Sequence, residues 1–239
     1  MRLDKLLANT GFGSRKDVKL LIRKGHVTVN DEVVRSNQVH VDEHQDTIMV
    51  KNNRVHYRKH IYLMMHKPPN YLSATEDRYD QTVLDLLELE HAHFQPFPVG
   101  RLDKDTEGLL ILTNDGVLAH HLTSPKKDVE KTYYAKVSGV VTEEDVKKLA
   151  NGVTLDDGHF TKPALLRIIK SADQSEVELT ITEGKYHQVK RMFGALGKKV
   201  VYLKRIQMGN IYLDEQLPLG AYRELTDDER TYYLSLIDS

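Results

Sequence analysis

The chain predicts an α+β protein of two compact units, and three observations carry that reading. Its 239 residues fall between one and two domains at roughly 150 residues each. Its composition, 40% hydrophobic and 29% charged, is that of an ordinary folded soluble protein, neither disordered nor membrane-embedded. Strand-like apolar runs and helix-period segments interleave irregularly, which argues against strict βαβ alternation.

In chain order, Leu3, Leu6 and Leu7 fall at helical spacing, and Gly11 and Gly13 end that short helix. Ser14 opens a second one, with Asp17 placed to complete a capping box and Val18, Leu21 and Ile22 as its apolar stripe; Gly25 closes it. Val27-Thr28-Val29, the turn pair Asn30-Asp31 and Val33-Val34 read as a small hairpin. From Lys51 to His60 the chain becomes polar and basic, with Arg54, His56, Arg58 and Lys59 and no acid, and reads as a linker. The predicted boundary therefore separates 1–57 from 58–239.

Beyond it, strands are expected at Ile61 to Met65, Leu109 to Leu112, Tyr133 to Val137, Ala164 to Ile169, Val177 to Ile181 and Val200 to Leu203. Helices are expected at Thr82 to Leu89, Val117 to Leu122, Thr142 to Ala150 (capped by Thr142 with Asp145), Tyr186 to Leu196 and Thr226 to Ile237. Arg2-Leu3-Asp4-Lys5 recurs as Arg101-Leu102-Asp103-Lys104, but the flanks share nothing, so no repeat is read from it.

Composition also excludes classes of function. With no cysteine, disulfides, thiolate metal sites and cysteine nucleophiles are ruled out. No run of 18 apolar residues appears, and Met1-Arg2-Leu3-Asp4-Lys5 opens without an apolar stretch or cleavage site, so an intracellular, cytoplasmic chain with no membrane partner is expected. The histidines of His91-x-His93, His120-His121 and His187 invite a metal reading. Adjacent histidines on a helix face different directions, however, and no HExxH pattern occurs, so no metal site is predicted.

The formal net charge of −1 hides a segregation. Residues 2–24 carry +5, residues 185–205 carry +7 without an acid, and the remainder carries −13. A single basic run is usually a solvated helix face, whereas two such windows favour a polyanionic partner. Two denser motifs stand beside them. Gly100-Arg101-Leu102-Asp103-Lys104-Asp105-Thr106-Glu107-Gly108 is a charged loop feeding the strand at Leu109 and then the turn Thr113-Asn114-Asp115-Gly116. Thr182 to Phe193 runs from a strand end into a helix whose Val189, Met192, Phe193 and Leu196 share one side and His187, Lys190, Arg191 and Gly194 the other.

The Gly100 to Gly116 segment resembles the central motif of the pseudouridine synthases related to ribosomal small-subunit pseudouridine synthase A, and Thr182 to Phe193 resembles their third motif. Lys131-Thr132-Tyr133 matches the intervening lysine-x-tyrosine element, and residues 1–35 resemble the small RNA-binding domain named after ribosomal protein S4. Tyr186-His187-Gln188-Val189-Lys190-Arg191-Met192-Phe193, Thr161-Lys162-Pro163-Ala164 and Thr123-Ser124-Pro125 look like the small-subunit branch. The resemblance implies an S4-like RNA-binding domain followed by a catalytic domain with a mixed, mainly antiparallel sheet flanked by helices. It implies conversion of one uridine of 16S ribosomal RNA, of the uridine 516 type, to pseudouridine, with no metal or organic cofactor. An assembling small subunit is the expected partner, with free RNA left open, and a monomer is expected because nothing in the sequence suggests an extended apolar interface beyond the core. A synthase acting on 23S RNA and a noncatalytic RNA-binding or assembly protein remain open.

By the same resemblance, Asp103 is the catalytic aspartate, Tyr133 the active-site tyrosine and Lys190 its cationic companion. Many members have arginine at the last position; lysine supplies a point charge without the bidentate fork. As nucleophile or base, Asp103 must be ionised, and a nearby cation secures this. Core packing is the competing role for Tyr133. Arg101 is the candidate to fill the gap left by an extruded uridine, with a surface ion pair as its alternative. RNA contacts are expected from Arg2, Lys5, Ser14, Arg15, Lys16, Arg23 and Lys24 in the first module, and from Arg101, Lys131, Lys185, His187, Gln188 and Arg191 in the second.

Overall fold

A computed structural model describes residues 1–43, 45–55 and 57–237, so His56 of the expected linker lies outside the described residues. The chain divides into two compact units, one formed by Met1–Ile61 with Leu87–Pro96, the other by Tyr62–Leu86 with Phe97–Ser239.

In the first unit, α1 (Leu3–Asn9) and α2 (Arg15–Arg23) bury Leu3, Leu6, Leu7, Val18 and Ile22 against Val27, Ile48 and Val50. The capping box forms as read. Ser14 Oγ accepts from the Asp17 N–H at 3.3 Å, and the Asp17 carboxylate accepts from the Ser14 N–H at 3.0 Å. Ser14→Ala is expected to cost about 1 kcal/mol, seen as a lower urea midpoint of the full chain. Strands β1 (Val27–Val29) and β2 (Glu32–Val33) turn through Asn30 and Asp31, both with positive φ of 52° and 67°, as a tight primed hairpin requires.

The expected linker begins as structure. Strands β3 (Ile48–Val50) and β4 (Asn53–Arg54) form a second hairpin around Lys51 and Asn52, again at positive φ. This gives a four-stranded sheet in the order β2-β1-β3-β4. Both residues of β4 are exposed, so no apolar alternation marked it in sequence. The segment Leu87–Pro96 groups with this unit and carries α3 (Leu89–Ala92). The single helix expected from Thr82 to Leu89 is thus replaced by a 3-10 turn, Val83–Leu86, and this separate short helix. Leu89 is 89% exposed, so the periodicity there faces no core.

The second unit is built on a nine-stranded sheet of order β13-β5-β7-β11-β8-β10-β9, with β6 on β7 and β12 on β11. Its strands are β5 (Tyr62–Lys67), β6 (Phe97–Pro98), β7 (Glu107–Thr113), β8 (Lys131–Ser138), β9 (Leu165–Lys170), β10 (Gln174–Ile181), β11 (Lys199–Met208), β12 (Ile211–Tyr212) and β13 (Tyr222–Glu224). The helices are α4 (Gly116–Thr123), α5 (Glu143–Asn151), α6 (Gln188–Ala195) and α7 (Asp227–Ser235). All pairings are antiparallel except β7 with β11, the mixed, mainly antiparallel sheet expected.

Leu118 and Leu122 of α4 and Tyr233 of α7 pack with Met64, Leu109 and Ile111 in one core. Asp115 starts α4 by accepting from the Val117 and Leu118 N–H groups at 3.0 and 3.3 Å. The parallel pair fixes one glycine. At Gly108, with φ of 110°, an added Cβ would lie 2.2 Å from the Arg205 carbonyl oxygen, so only a residue without a side chain lets β7 and β11 meet. The two RLDK segments confirm their different contexts: Arg2 to Lys5 opens α1, whereas Arg101 to Lys104 is loop.

Candidate active site

The loop between β6 and β7 brings Asp103 to the surface of the second unit, and buried groups hold its backbone. The Ser73 hydroxyl accepts from the Leu102 N–H and donates to the Leu102 carbonyl, both at 3.1 Å. Beneath the loop, Lys67 at the end of β5 has no solvent exposure. Its ammonium donates to the carbonyls of Pro68 (3.0 Å), Asp103 (3.1 Å), Lys104 (3.4 Å) and Thr106 (3.0 Å). Burial pushes this lysine down to about 8, against the pull of Asp105, Asp103 and Glu107.

Opposite stands the turn after β10. Glu183, 6% exposed, accepts from the Lys162 N–H (3.0 Å) and Gln188 Nε2 (2.7 Å) and lies 3.3 Å from His159 Nε2. Gln188 Oε1 in turn accepts from the Lys185 N–H at 2.7 Å. His187 adopts the left-handed conformation, φ 49°, and caps α6, so the helix begins later than the expected Tyr186. This turn directs the first turn of α6 at the loop. Lys190 Nζ lies 3.2 Å from Asp103 Oδ2 and 2.6 Å from Asp105 Oδ1, and His187 Nε2 lies 3.6 Å from Asp103 Oδ1. Burial opposes the Lys190 charge, but contact with Asp105 and Asp103 outweighs it and raises its pKa. For Asp105, Lys190 likewise overcomes burial and lowers the pKa.

Arg101, Asp103, Tyr133, Ile181, Lys185, His187 and Leu203 line one cleft. Tyr133 is 8% exposed, and its hydroxyl has no hydrogen-bond partner among the described residues. Its neighbour Tyr134 instead donates to Glu176 Oε2 at 2.5 Å and meets Tyr202 edge-on, on the other side of the strand. Such a cleft offers an aromatic ring and aliphatic walls to a planar base, with a carboxylate and an ammonium at its lip. Of the residues lining it, Arg101 and Lys185 are exposed.

Other nominated residues are already engaged. Lys131 is 8% exposed, donates to the Val129 carbonyl at 2.8 Å and is pushed down to about 8 by burial and by Arg205. It points inward, away from any phosphate. Gln188, 4% exposed, shapes the turn. Arg191 is clamped by Asp156 and, at 2.7 Å, by Asp157. In the +7 window Arg205 is 2% exposed and bonded to the Leu109 carbonyl, and Lys198 pairs with Asp145 at 2.9 Å. Distant acids thus offset much of the charge that was counted along the sequence.

In the first unit, Lys5, Arg15, Lys16, Arg23 and Lys24 are exposed. Arg2 is bound to Asp4 through two contacts of 3.0 and 2.7 Å, and Ser14 serves as a helix cap. Sequence reasoning gave no role to Lys67, Asp105 or Glu183. Among the described residues no group of three His, Cys, Asp or Glu could hold a metal ion, and no helix is long and apolar enough to cross a membrane.

Comparison with known proteins agrees with this architecture. Residues 61–195 match the RNA pseudouridylate synthase family model, and residues 1–48 match the S4 domain. The chain is 52% identical over 230 residues to an uncharacterized RNA pseudouridine synthase, YtzG, of Bacillus subtilis strain 168, covering 96% of both chains. It is 40% identical to the ribosomal small subunit pseudouridine synthase A of Escherichia coli K12, covering 96% of this chain and 98% of that one. A crystal structure of a pseudouridylate synthase aligns over 99% of both chains with a TM-score of 0.68 and 36% identity. With its S4 domain and its full-length similarity to these enzymes, the chain belongs to the RNA pseudouridylate synthase family.

Proposed function

We propose that this pseudouridine synthase isomerises one uridine of 16S ribosomal RNA, at a site of the uridine 516 type, with Asp103 as the catalytic carboxylate. The observation that carries the reading is the Asp103 carboxylate 3.2 Å from Lys190 Nζ at the lip of the cleft lined by Tyr133. The small-subunit assignment is supported by relatives of that name in Escherichia coli and Vibrio at 40–41% identity.

A stacked uridine cannot present its C1′ to a protein carboxylate, so the nucleotide is extruded into the cleft, at a cost of a few kcal/mol. The N1–C1′ bond breaks, the uracil turns, C5 bonds to C1′ and the C5 proton is lost while N1 gains one. The product is an isomer, and the sequence needs no cofactor. Asp103 can serve by attacking the ring, by attacking C1′ or by taking a proton from C2′; each demands a carboxylate, and the Lys190 ammonium stands 3.2 Å from it. Tyr133 stacks on the uracil, Arg101 occupies the vacated position in the RNA, and Lys185 with the exposed cations of the first unit contacts phosphates. The protein works as a cytoplasmic monomer.

Lys190→Ala is expected to lower kcat at least about tenfold more than it weakens RNA binding, because it removes charge complementarity at the reacting group and only one of many cations. Single-turnover rates and binding isotherms separate the two effects. The substrate is tested by mapping pseudouridine in both ribosomal RNAs from cells with and without the gene. Loss of one 16S position is expected; loss in 23S, or no loss, overturns the 16S reading.

A further inference from the structure

Tyr186 is absent from the chemistry described above, yet its placement is specific. It is 74% exposed, and its ring stacks on that of His187 with centroids 3.8 Å apart and planes 18° from parallel. His187 in turn lies 3.6 Å from Asp103 and borders both the catalytic cleft and the neighbouring cavity. The pair is held from below. The backbone of His187 is fixed in the left-handed region as the cap of α6, and Arg191, clamped by Asp156 and Asp157, donates to the Tyr186 carbonyl at 3.3 Å. The result is a two-ring step beside the cleft, with the outer ring turned to solvent.

Extruding a uridine removes a stacking partner from the bases on either side of it. An exposed aromatic face next to the cleft can replace that partner without reading base identity, because every base has a π-face. We propose that Tyr186 is a stacking platform for the unpaired nucleobase adjacent, in the same strand, to the target uridine. The inference rests on the 16S reading above, and His187 is its positioning residue, setting the tilt of the tyrosine ring.

The test measures affinity of the full chain, Tyr186→Ala and Tyr186→Phe for 16S RNA, presented both free and in partly assembled small subunits, and reads the form on which the wild type makes pseudouridine. The 5′ or 3′ neighbour of the target is left intact or replaced by an abasic nucleotide through splinted ligation. Tyr186→Ala is expected to weaken binding about tenfold and Tyr186→Phe less than about twofold, within the range of base–aromatic stacking. An abasic nucleotide on one side should weaken wild-type binding by the same factor and Tyr186→Ala binding no further. Unchanged affinity of Tyr186→Ala, or losses that multiply, overturns the platform. Pseudouridine formation by the wild type on intact RNA is scored in parallel. Its absence overturns the substrate reading, whereas product with no coupling overturns the platform alone.

Discussion

Asp103→Asn is expected to lower the single-turnover rate of pseudouridine formation by at least about 10³-fold while leaving RNA affinity and stability nearly unchanged. The amide keeps the shape of the side chain but removes both the negative charge and the basicity that any of the three routes requires. Stability is insulated because the carboxylate is partly exposed and only its contacts with Lys190 and His187 are affected, and such pairs contribute about 0–1 kcal/mol. The backbone carbonyl of Asp103, which accepts from Lys67, is untouched by the substitution. A variant that binds RNA normally, melts normally and still forms product at the wild-type pace would remove Asp103 from the mechanism.

Much of this arrangement was legible in sequence because its signals are local. Ser14 and Asp17, Thr142 and Asp145, and the Asn30-Asp31 turn each satisfy backbone groups within a few residues of themselves, so spacing alone reveals them. Every strand of six residues or more was visible; the three-residue strands β3 and β13 and the two-residue strands β4, β6 and β12 were not, being too short to show a period. The site was legible in part for the same reason. Asp103 and Lys190 sit in motifs of distinctive order, but that Lys190 also grips Asp105 depends on a loop and a helix meeting across 85 positions. Charge counting failed in a related way: Arg191 lies in a stretch without acids, yet Asp156 and Asp157 reach it from elsewhere in the fold. Nor does Lys67, next to a proline in a hydrophobic strand, look different in sequence from a lysine ending any strand; its burial is a property of the loop that covers it.

That burial makes Lys67 the largest test of how the loop is held. Lys67→Met removes the three N–H donors that reach four carbonyls. The Asp103 carbonyl keeps the Thr106 N–H and the Lys104 carbonyl keeps the Asn70 N–H, so the Pro68 and Thr106 carbonyls suffer most. At about 1–3 kcal/mol for each buried unsatisfied group, partly offset by relief of a buried charge, the variant should lose about 2–4 kcal/mol. Its kcat should fall on the order of 10²-fold, the cost of moving a reacting group by about 1 Å. The wild type should also show a signature in pH. With its folded pKa lowered to about 8 from 10.5, Lys67 binds more protons unfolded than folded between those values, so its contribution to stability rises with pH through that window. Activity should move the other way, because deprotonation removes one donor and the charge that organises the carbonyls. A basic limb in kcat near pH 8 that is missing from Lys67→Met, together with wild-type stability that does not fall across it, is the expected result. The same limb persisting in the methionine variant would assign it to another group, and normal kcat there would show that the loop holds Asp103 without the buried ammonium.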